Sequence, residues 1–443
     1  MKDYITPEHE TTFGEDEQKN TTVARADNGE QQVKGFQRGR QSSKYDALIL
    51  DATLRQSLVA IRSLGQRGMR VAAMEIVASG NAKDCSRIPA FSSRWCQQSF
   101  AAPGYEQGLE PFLTYLQQAI ATTGASVLIT SSDATLALIR QYREDIERRV
   151  HIALAKESAL AIAVNKKRTL EVAQQLGIGI PRGIEVRSVS EVEAAVLELG
   201  LPVVIKPVES WLWGEQQGVR LVCKVAKTLT EAQLAVEILI QQGGTTLFQQ
   251  FLSGRRESVN LMYAHDVVYA RFAQWAKRAY PQLGGTSVYR QSIAIPSDIG
   301  TQAEHLVREI ELEGYAEIEF RRDNAGKPYL MEINPRLSAS IELAVRCGVD
   351  FPYLLYQWAN GNRIDKVESY HVGKWMRHLG GDITSTIESF THPDRPGVTP
   401  APQAVLAFIA SFFVPAAYDY FDWHDPAPAW KAIVNFVQFF LHP

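Results

Sequence analysis

The stretch GYAEIEFRRDNAGKPYLMEINPRLSAS (Gly314–Ser340) predicts two β-strands joined by a tight turn. Apolar and charged residues alternate along AEIEFR (316–321), which is typical of a strand with one apolar and one charged face. The turn falls on DNAG (323–326), where glycine supplies the backbone freedom that a tight turn requires. Tyr329–Ile333 forms the return strand, and Pro335 ends it.

This hairpin is also a candidate metal site. Glu332 and Asn334 are two residues apart, so both point to the same face of the return strand, and the hairpin can bring Glu319 beside them. Two carboxylates and an amide oxygen suit Mg²⁺, or alternatively Mn²⁺, bridging the phosphates of a nucleotide. The alternative is a solvated hairpin with charged outer positions. The metal site is favoured because Glu332 and Asn334 lie in a largely apolar run, where an unpaired charge would be costly.

The sequences EIEF (317–320) and MEINPR (331–336) resemble the metal-binding end of the ATP-grasp enzymes. This superfamily of carboxylate–amine ligases includes biotin carboxylase and carbamoyl phosphate synthetase. The resemblance covers roughly residues 45–360. It implies that Glu319, Glu332 and Asn334 bind Mg²⁺. It also implies that Arg336 contacts the reacting phosphoryl group.

Length and composition are those of an ordinary globular protein. The 443 residues suffice for two to three domains, and the net charge of -3 gives no indication of binding to nucleic acid or to an anionic membrane. Four scattered cysteines without a C-x-x-C motif argue against a disulfide framework and a zinc site. Since the polar N-terminus also lacks an apolar signal segment, we expect a cytoplasmic protein.

The N-terminal part of the chain divides into two regions. Residues 1–44 lack apolar periodicity and are predicted to be a disordered arm. Residues 45–150 alternate strand and helix patterns, which predicts a doubly wound α/β domain of the kind that precedes the nucleotide domain in ATP-grasp proteins. No G-x-G-x-x-G follows the first strand, so a dehydrogenase is excluded. Arg87 and Arg94 are candidates for binding an anionic substrate, with an ordinary surface loop as the favoured alternative.

The resemblance makes residues 151–360 a two-lobed α+β ATP-grasp module, with a smaller lobe at about 182–250. It implies that Lys166, at the start of a helix, and Lys206, at the end of a buried strand, contact the nucleotide. A lysine at the end of a buried strand needs an anion, and phosphate is a natural one. The family also has a hinge strand whose backbone reads the adenine edge, and an acidic residue near the ribose and phosphates. The matching positions are Gln249, Gln250, Phe251 and Leu252 for the hinge and Glu257 for the acid.

The loop at residues 209–218 departs from the family pattern. Many members carry a glycine-rich segment here that folds its backbone amides over the phosphates. In this chain Trp211 and Trp213 are inserted and few glycines remain. We therefore expect the loop to close over the site with bulky side chains.

A basic segment at residues 271–296, bent by a proline and by Gly284-Gly285, resembles the substrate-side loop of an uncharacterised "predicted carboligase" branch of ATP-grasp proteins. We expect Arg290, together with Arg271 or Arg278, to hold a carboxylate substrate here. Arginine suits this role because its planar guanidinium binds a carboxylate through two hydrogen bonds.

Residues 361–443 are predicted to form a small C-terminal extension. Ala404–Ala417 is strongly apolar, but it is too short and too interrupted by Pro415 to predict a membrane span. A packed helix is favoured over contact with a membrane surface or a partner. Formation of a homodimer stays open.

These features predict an enzyme that uses ATP to join a carboxylate to an amine, through an acyl phosphate and with release of ADP and phosphate. Two alternatives use the same fold: formation of a carboxy- or carbamoyl phosphate, and non-catalytic ATP binding. The glycine-poor loop favours the non-catalytic alternative, whereas the intact metal set argues against it. The expected substrates are small molecules: an amino acid, a peptide or a sugar-linked acid.

Overall fold

The computed structural model describes residues 44–77, 85–104, 108–213 and 218–441. The arm predicted at residues 1–44 lies outside these ranges, apart from Lys44 itself. From Lys44 onwards the chain forms one compact unit. The domain boundaries at 150 and 360, and the doubly wound N-terminal domain as a separate body, therefore stay predictions.

The first sheet is parallel and has the strand order β3-β2-β1-β4-β5. Its strands are β1 (Ala47–Ile49), β2 (Val71–Val77), β3 (Cys96–Pro103), β4 (Val127–Ile129) and β5 (His151–Ile152). The helices of this part are α1 (Arg55–Gln66), α2 (Leu109–Thr123), α3 (Asp133–Gln141) and α4 (Arg143–Glu147). The direction of winding changes between β1 and β4, so the carboxyl ends of these two strands border the crevice where open α/β sheets bind ligands.

A small antiparallel sheet follows, with the order β10-β7-β11-β6. Its strands are β6 (Gly183–Val186), β7 (Val203–Pro207), β10 (Lys224–Ala226) and β11 (Thr246–Gln250), and β8 (Trp211–Trp213) pairs separately with β9 (Gly218–Arg220). The helices are α5 (Glu157–Ala163), α6 (Lys166–Gln175), α7 (Val192–Leu199) and α8 (Leu229–Gln241). One face of the sheet packs on α7 and α8 through an apolar cluster that includes Val203, Ile205 and Phe248.

The third and largest sheet has seven strands in the order β16-β15-β12-β13-β14-β17-β18. The strands are β12 (Arg256–Ala264), β13 (Val267–Tyr280), β14 (Thr286–Ile293), β15 (Gly314–Arg322), β16 (Pro328–Asn334), β17 (Trp375–Arg377) and β18 (Ala416–Tyr418). The remaining helices are α9 (Ser297–Glu309), α10 (Ile341–Arg346), α11 (Phe351–Ala359), α12 (Leu379–Thr391), α13 (Ala401–Ala410) and α14 (Ala427–Leu441). The predicted hairpin is confirmed, since β15 and β16 pair antiparallel around the turn.

Alternation along the strands gives the large sheet two different faces. Val259, Ile318 and Phe320 point to one face and are fully buried in an apolar cluster that also contains Ile299 and Ala303 of α9. Burial of this face removes large apolar side chains from water, which is the main stabilising term for such a layer. The charged residues between them are thereby directed to the opposite face.

The C-terminal apolar segment is less buried than the packed helix that its sequence predicts. Ala404 is the buried residue of α13, whereas Leu406 and Phe413 are 70% and 85% exposed. Within the segment, Phe408 packs edge-on against Phe412 with ring centroids 5.2 Å apart. In the described ranges, no helix has both the length and the apolar character needed to cross a bilayer.

Buried ion pairs attach the C-terminal extension to the rest of the chain. Asp419 accepts hydrogen bonds from Arg290 at 2.7 and 3.0 Å and from Arg55 of α1 at 2.6 Å. Burial by itself would raise the pKa of Asp419, but these two guanidinium groups hold it below its ordinary range. Asp425 accepts in the same way from Arg62 and from Ser93. The extension therefore connects the first sheet to the large sheet.

We expect Asp419→Asn to lower the free energy of unfolding by about 3–5 kcal/mol, because it leaves the buried Arg290 without a counter-charge. Asp365→Asn is the control, since the Asp365 carboxylate is exposed in its pair with Arg363, and it should change stability by less than about 1 kcal/mol. Urea denaturation of both variants measures the difference. Equal stabilities would show that the Asp419 cluster does not hold the extension in place.

Candidate active site

The charged face of the large sheet brings the three predicted metal ligands together. In an antiparallel pair, residues directly opposite each other point to the same face. Glu319 lies opposite Glu332 of β16 and Ser258 of β12. Asn334 is on the same face, and its Nδ2 donates to Glu319 Oε1 across 3.3 Å. The convergence follows the hairpin spacing, while the role of these residues as metal ligands stays a prediction.

The donor atoms on this face fit Mg²⁺ bound together with phosphates. Mg²⁺ takes one or two carboxylates from a protein and completes its shell with substrate oxygens and water. Glu319 and Glu332 supply two carboxylates, and the Asn334 side chain supplies an amide oxygen. Within the described ranges, no three acidic, histidine or cysteine side chains form a ready-made metal cage. Water, or the phosphate oxygens of a bound nucleotide, would therefore have to complete the ligand set.

Lys166 approaches this face from the start of α6. Asn165 caps the helix by accepting from the backbone N–H of Arg168 at 3.0 Å, which fixes where the first turn begins. The Lys166 ammonium donates to Ser210 Oγ at 2.9 Å and lies 3.9 Å from Glu332 Oε2. Burial alone would raise the pKa of Glu332, but Lys166 and then Lys206 hold it below its usual value.

Lys206 lies near the carboxyl end of β7 and is 7% exposed. Burial lowers the pKa of Lys206, while Cys223 and Glu332 act in the opposite direction. Its ammonium has no ion pair with a carboxylate of the described residues, which is an unfavourable state for a buried charge. An anionic ligand at this position would stabilise the lysine.

Arg336 is held by a carboxylate from the first part of the chain. Its Nε and Nη2 donate to the two oxygens of Asp133 at 2.5 and 3.0 Å. Asp133 is the first residue of α3, which follows the carboxyl end of β4 in the parallel sheet. Burial alone would raise the pKa of Asp133, but Arg336 holds it below its usual value. Nothing in the local sequence indicates this contact, because the two residues are 203 positions apart.

A small pocket opens beside these groups. It is lined by residues of α3 and α6, of β8 with the loop before it, and of β16, among them Asp133, Lys166, Ser210, Trp211, Glu332 and Asn334. Trp211 and Trp213 of β8 lie with their rings 5.6 Å apart, and the Trp213 indole N–H donates to the Ala134 carbonyl at 3.3 Å. The bulky closure expected for this loop agrees with Trp211 lining the pocket. Part of the loop, residues 214–217, lies outside the described residues.

The hinge strand β11 contributes one buried side chain to the same region. Gln249 lies opposite Val204, and Leu247 lies opposite Lys206, so Gln249 and Lys206 share one face of the small sheet. Gln249 is fully buried, and neither its amide nitrogen nor its amide oxygen has a hydrogen-bond partner in the described part of the chain. The adenine-reading role of Gln249, Gln250, Phe251 and Leu252 stays a prediction.

Glu317 is a third carboxylate on the charged face, and it is not among the metal ligands that the sequence predicts. It lies opposite Asn334 and Asn260 and accepts from Gln274 Nε2 at 3.4 Å and from Ser340 Oγ at 3.3 Å. Burial, and then repulsion from Glu319, raise the pKa of Glu317 to about 7. The alternation in EIEF already places this residue beside Glu319, so the pattern contained the signal.

Arg256 is a second group that sequence reasoning did not assign to the site. Its guanidinium forms two hydrogen bonds with Glu319, at 3.0 and 2.8 Å. Arg256 lies two residues from Ser258 on β12, so it shares the charged face.

The structure does not support the predicted position of Glu257 near the ribose and phosphates. Glu257 lies opposite Phe320, on the apolar face of the sheet and away from Glu319. It pairs with Arg255 at 2.9 Å and with Arg322 at 2.8 Å. The role of Glu257 near the ribose and phosphates stays a prediction that followed from the family resemblance alone.

The basic segment also differs from its prediction. Arg290 is completely buried and its guanidinium is bound to Asp419, so it cannot reach a substrate carboxylate in this arrangement. Arg278 pairs with the buried Asp382 at 2.5 Å. Arg271 pairs with Glu304, also at 2.5 Å, on the other face of the sheet from Glu319. These arginines have carboxylate partners within the chain itself.

The two arginines predicted near the first crevice lie against the C-terminal extension. The backbone N–H of Arg94 donates to Asp425 Oδ1 at 2.9 Å. The Arg87 carbonyl accepts from Asn435 of α14 at 2.6 Å. The favoured alternative, an exposed loop, describes their side chains better than a substrate site, because both residues are exposed.

Comparison with known proteins gives one matching family model, described as "ATP-grasp in the biosynthetic pathway with Ter operon", which matches residues 245–378. A D-alanine–D-alanine ligase from Nitrosospira multiformis is 24% identical over 184 residues, which is 40% of this chain and 58% of the ligase. The match thus spans about three-fifths of that curated relative.

Two solved structures share the fold. Biotin carboxylase from Campylobacter jejuni has a TM-score of 0.58 and 14% identity, covering 75% of this chain and 74% of the carboxylase. L-amino acid ligase from Bacillus licheniformis has a TM-score of 0.53 and 17% identity, covering 73% and 76%. The family model and the curated relatives support the assignment of this chain to the ATP-grasp superfamily. The two solved structures show that it shares their fold.

We expect Glu317→Gln to stabilise the protein at pH 8 by on the order of 2 kcal/mol. Because the folded-state pKa of Glu317 is raised to about 7, the folded protein loses stability as pH rises from about 4.5 to about 7. The variant should therefore differ less from wild type at pH 5, where folded Glu317 is protonated. Urea denaturation at both pH values measures this.

Glu309→Gln is the control for this measurement, because Glu309 is an exposed carboxylate on α9. It should leave the pH dependence unchanged. If Glu317→Gln were less stable than wild type at pH 8, the hydrogen bonds to the carboxylate would outweigh its burial.

Proposed function

We propose that the protein is an ATP-dependent ligase that joins a small carboxylate to an amine through an acyl phosphate, with release of ADP and phosphate. The observation that carries the proposal is the convergence of Glu319, Glu332 and Asn334 on one partly buried sheet face, with the cations of Lys166 and Arg336 close to Glu332. A protein that only binds a nucleotide does not require two carboxylates facing two cations. The superfamily and the names of the ligases to which this chain is similar support the same reaction class.

The cations would bind the phosphates of ATP. Lys206 is buried without an ion pair among described carboxylates, so a phosphate would supply its missing counter-charge. Lys166 lines the pocket and lies near Glu332, and Arg336 is held by Asp133, which lines the same pocket. Fixed cations of this kind stabilise the charge that spreads over a transferring phosphoryl group.

The hinge would bind the base of the nucleotide. Gln249 shares a sheet face with Lys206, and the nitrogen and oxygen of its buried amide find no hydrogen-bond partner among the described residues. An unsatisfied buried amide costs free energy, which a hydrogen-bonding ligand would recover. Backbone groups of the neighbouring hinge positions Gln250–Leu252 are the expected contacts of the adenine edge.

Glu319, Glu332 and Asn334 would hold Mg²⁺. When bound, the ion supplies positive charge that neutralises the phosphate oxygens. The residues themselves fix the position of the phosphates relative to Lys166 and Arg336. Trp211 covers one side of the pocket and would keep water from the acyl phosphate. The protein positions groups and screens charge, and the covalent steps take place between the substrates.

The test of the reaction class is phosphate release from Mg²⁺-ATP, screened against pools of amino acids and other small carboxylic acids with amines. Phosphate and ADP formed only when one acid and one amine are both present would support the proposal and name the substrates. AMP and pyrophosphate would contradict it, because they indicate adenylate chemistry.

We expect Glu332→Gln to lower ATP turnover by about a hundredfold or more, because a neutral side chain weakens both the metal site and the partner of Lys166. Glu237→Gln is the control, since Glu237 is exposed on α8, which packs on the face of the small sheet opposite to Lys206. Turnover of phosphate per enzyme is the measurement. Normal turnover of the Glu332 variant would remove it from the metal site.

We expect Lys166→Ala to weaken ATP binding by about tenfold, while Lys167→Ala has little effect. The two lysines are neighbours on α6, but Lys166 is buried in the pocket and Lys167 is half-exposed in a pair with Glu185. Calorimetry with Mg²⁺-ATP compares them. Equal affinities for the two variants would place the phosphates elsewhere.

A further inference from the structure

Arg256 forms hydrogen bonds with Glu319, one of the carboxylates proposed to bind the metal. Its Nε donates to Glu319 Oε2 at 3.0 Å, and its Nη2 donates to Glu319 Oε1 at 2.8 Å. The same Nη2 also lies 2.7 Å from Oε2, so the guanidinium engages both carboxylate oxygens in a charge-assisted contact, which is a strong type of side-chain pair. Asn334 Nδ2 adds a third donor to the same carboxylate. Glu319 is therefore already neutralised by a cation of its own chain.

The position of Arg256 follows from the strand register. Ser258 lies directly opposite Glu319, and Arg256 is two residues away on the same face of β12. Such diagonal neighbours are within reach of a long side chain. The Arg256 side chain is 24% exposed, so the pair is largely removed from water and is not weakened in the way that surface pairs are.

Arg256 makes one more contact, with the turn between β13 and β14. Its Nη1 donates to the backbone carbonyl of Gly285. A Cβ atom at Gly285 would lie 2.1 Å from the carbonyl carbon of Tyr280, so only glycine allows this turn to fold back so closely. One guanidinium thus joins the turn at Gly284-Gly285 to Glu319.

A metal ion at Glu319 and the guanidinium of Arg256 exclude each other in this arrangement. Arg256 and Asn334 donate three hydrogen bonds to a carboxylate that offers about four lone-pair sites, so an ion that binds both oxygens must displace at least one of these hydrogen bonds. The ion and the guanidinium also repel each other, because both are positive. Loss of either hydrogen bond frees the planar group to move.

We propose that Arg256 is an internal counter-ion that takes the place of the metal at Glu319, and that metal binding releases Arg256 together with the Gly284-Gly285 turn. The inference rests on the proposed function only in taking Glu319 as a metal ligand. Its consequence is that loading of the metal is coupled to the position of a turn in the basic segment. Arg256 then controls metal affinity from outside the ligand set.

Binding of Mn²⁺ alone, without nucleotide, tests the competition. The free ion is counted by electron paramagnetic resonance in wild type, Arg256→Gln and Arg255→Gln. We expect Arg256→Gln to bind Mn²⁺ about tenfold more tightly than wild type, because a competing positive charge is gone. Arg255→Gln should match wild type, since Arg255 pairs with Glu257 on the opposite face and stacks on Trp275 at 4.3 Å.

The double variant Arg256→Gln/Glu319→Gln locates the effect. The gain in Mn²⁺ affinity should disappear in it, because the carboxylate for which the two cations compete is no longer charged. A gain that persists would overturn the proposal, and so would an Arg256→Gln affinity equal to or below that of wild type. If Arg256→Gln does not fold, Arg256→Lys replaces it. A single ammonium engages the carboxylate less completely than a guanidinium does, so this variant should bind Mn²⁺ more tightly than wild type, by less than about tenfold.

Amide hydrogen exchange provides the second readout. In Arg256→Gln without metal, the Gly285 and Thr286 amides should exchange faster than in wild type, and saturating Mn²⁺ should bring wild type to the same rate. If the exchange rates of Gly285 and Thr286 changed neither in Arg256→Gln nor in wild type with Mn²⁺, the proposed coupling between metal and turn would be overturned. If the ligase screen fails but the Mn²⁺ shift is found, the proposed function fails and this inference stands. Absence of Mn²⁺ binding in every variant would overturn the inference.

Discussion

The structure depends on the charged face of the large sheet being buried and still electrically balanced. The apolar face of the same strands is buried in the core, so the alternating charged residues cannot be moved elsewhere without a change of register. In a low-dielectric environment each charge needs a partner. The partners found are Arg256 for Glu319, Lys166 for Glu332 and Asp133 for Arg336.

This balance explains how the candidate active site is assembled. Its charges come from the parallel sheet through Asp133, from α6 through Lys166, from the small sheet through Lys206 and from the large sheet itself. Each internal ion pair holds a side chain near the position where phosphate or metal would replace its partner. Binding of a charged ligand would then exchange one set of ion pairs for another. Lys206 has no ion pair among the described residues, so an anionic ligand would stabilise it.

The same physical rule acts in the C-terminal extension with a different result. Asp419 neutralises Arg290 and Arg55, and Asp382 neutralises Arg278, so these arginines fix the extension to the large sheet and to α1. A basic sequence segment looks the same whether its arginines bind a substrate or an internal carboxylate. The acids that decide between these roles lie more than a hundred residues away.

The sequence alone determined the hairpin at Gly314–Ser340 and the meeting of Glu319 with Glu332, because alternation and a tight turn are local properties. The same alternation places Glu317 on the face of Glu319, although Glu317 is not among the predicted metal ligands. Tertiary structure decided the face of Glu257, since the pairing register of β12 with β15 depends on contacts distant in sequence. It likewise decided the partners of Arg336 and Arg290. A local pattern sets which residues share a face, but only packing of the whole chain sets what that face meets.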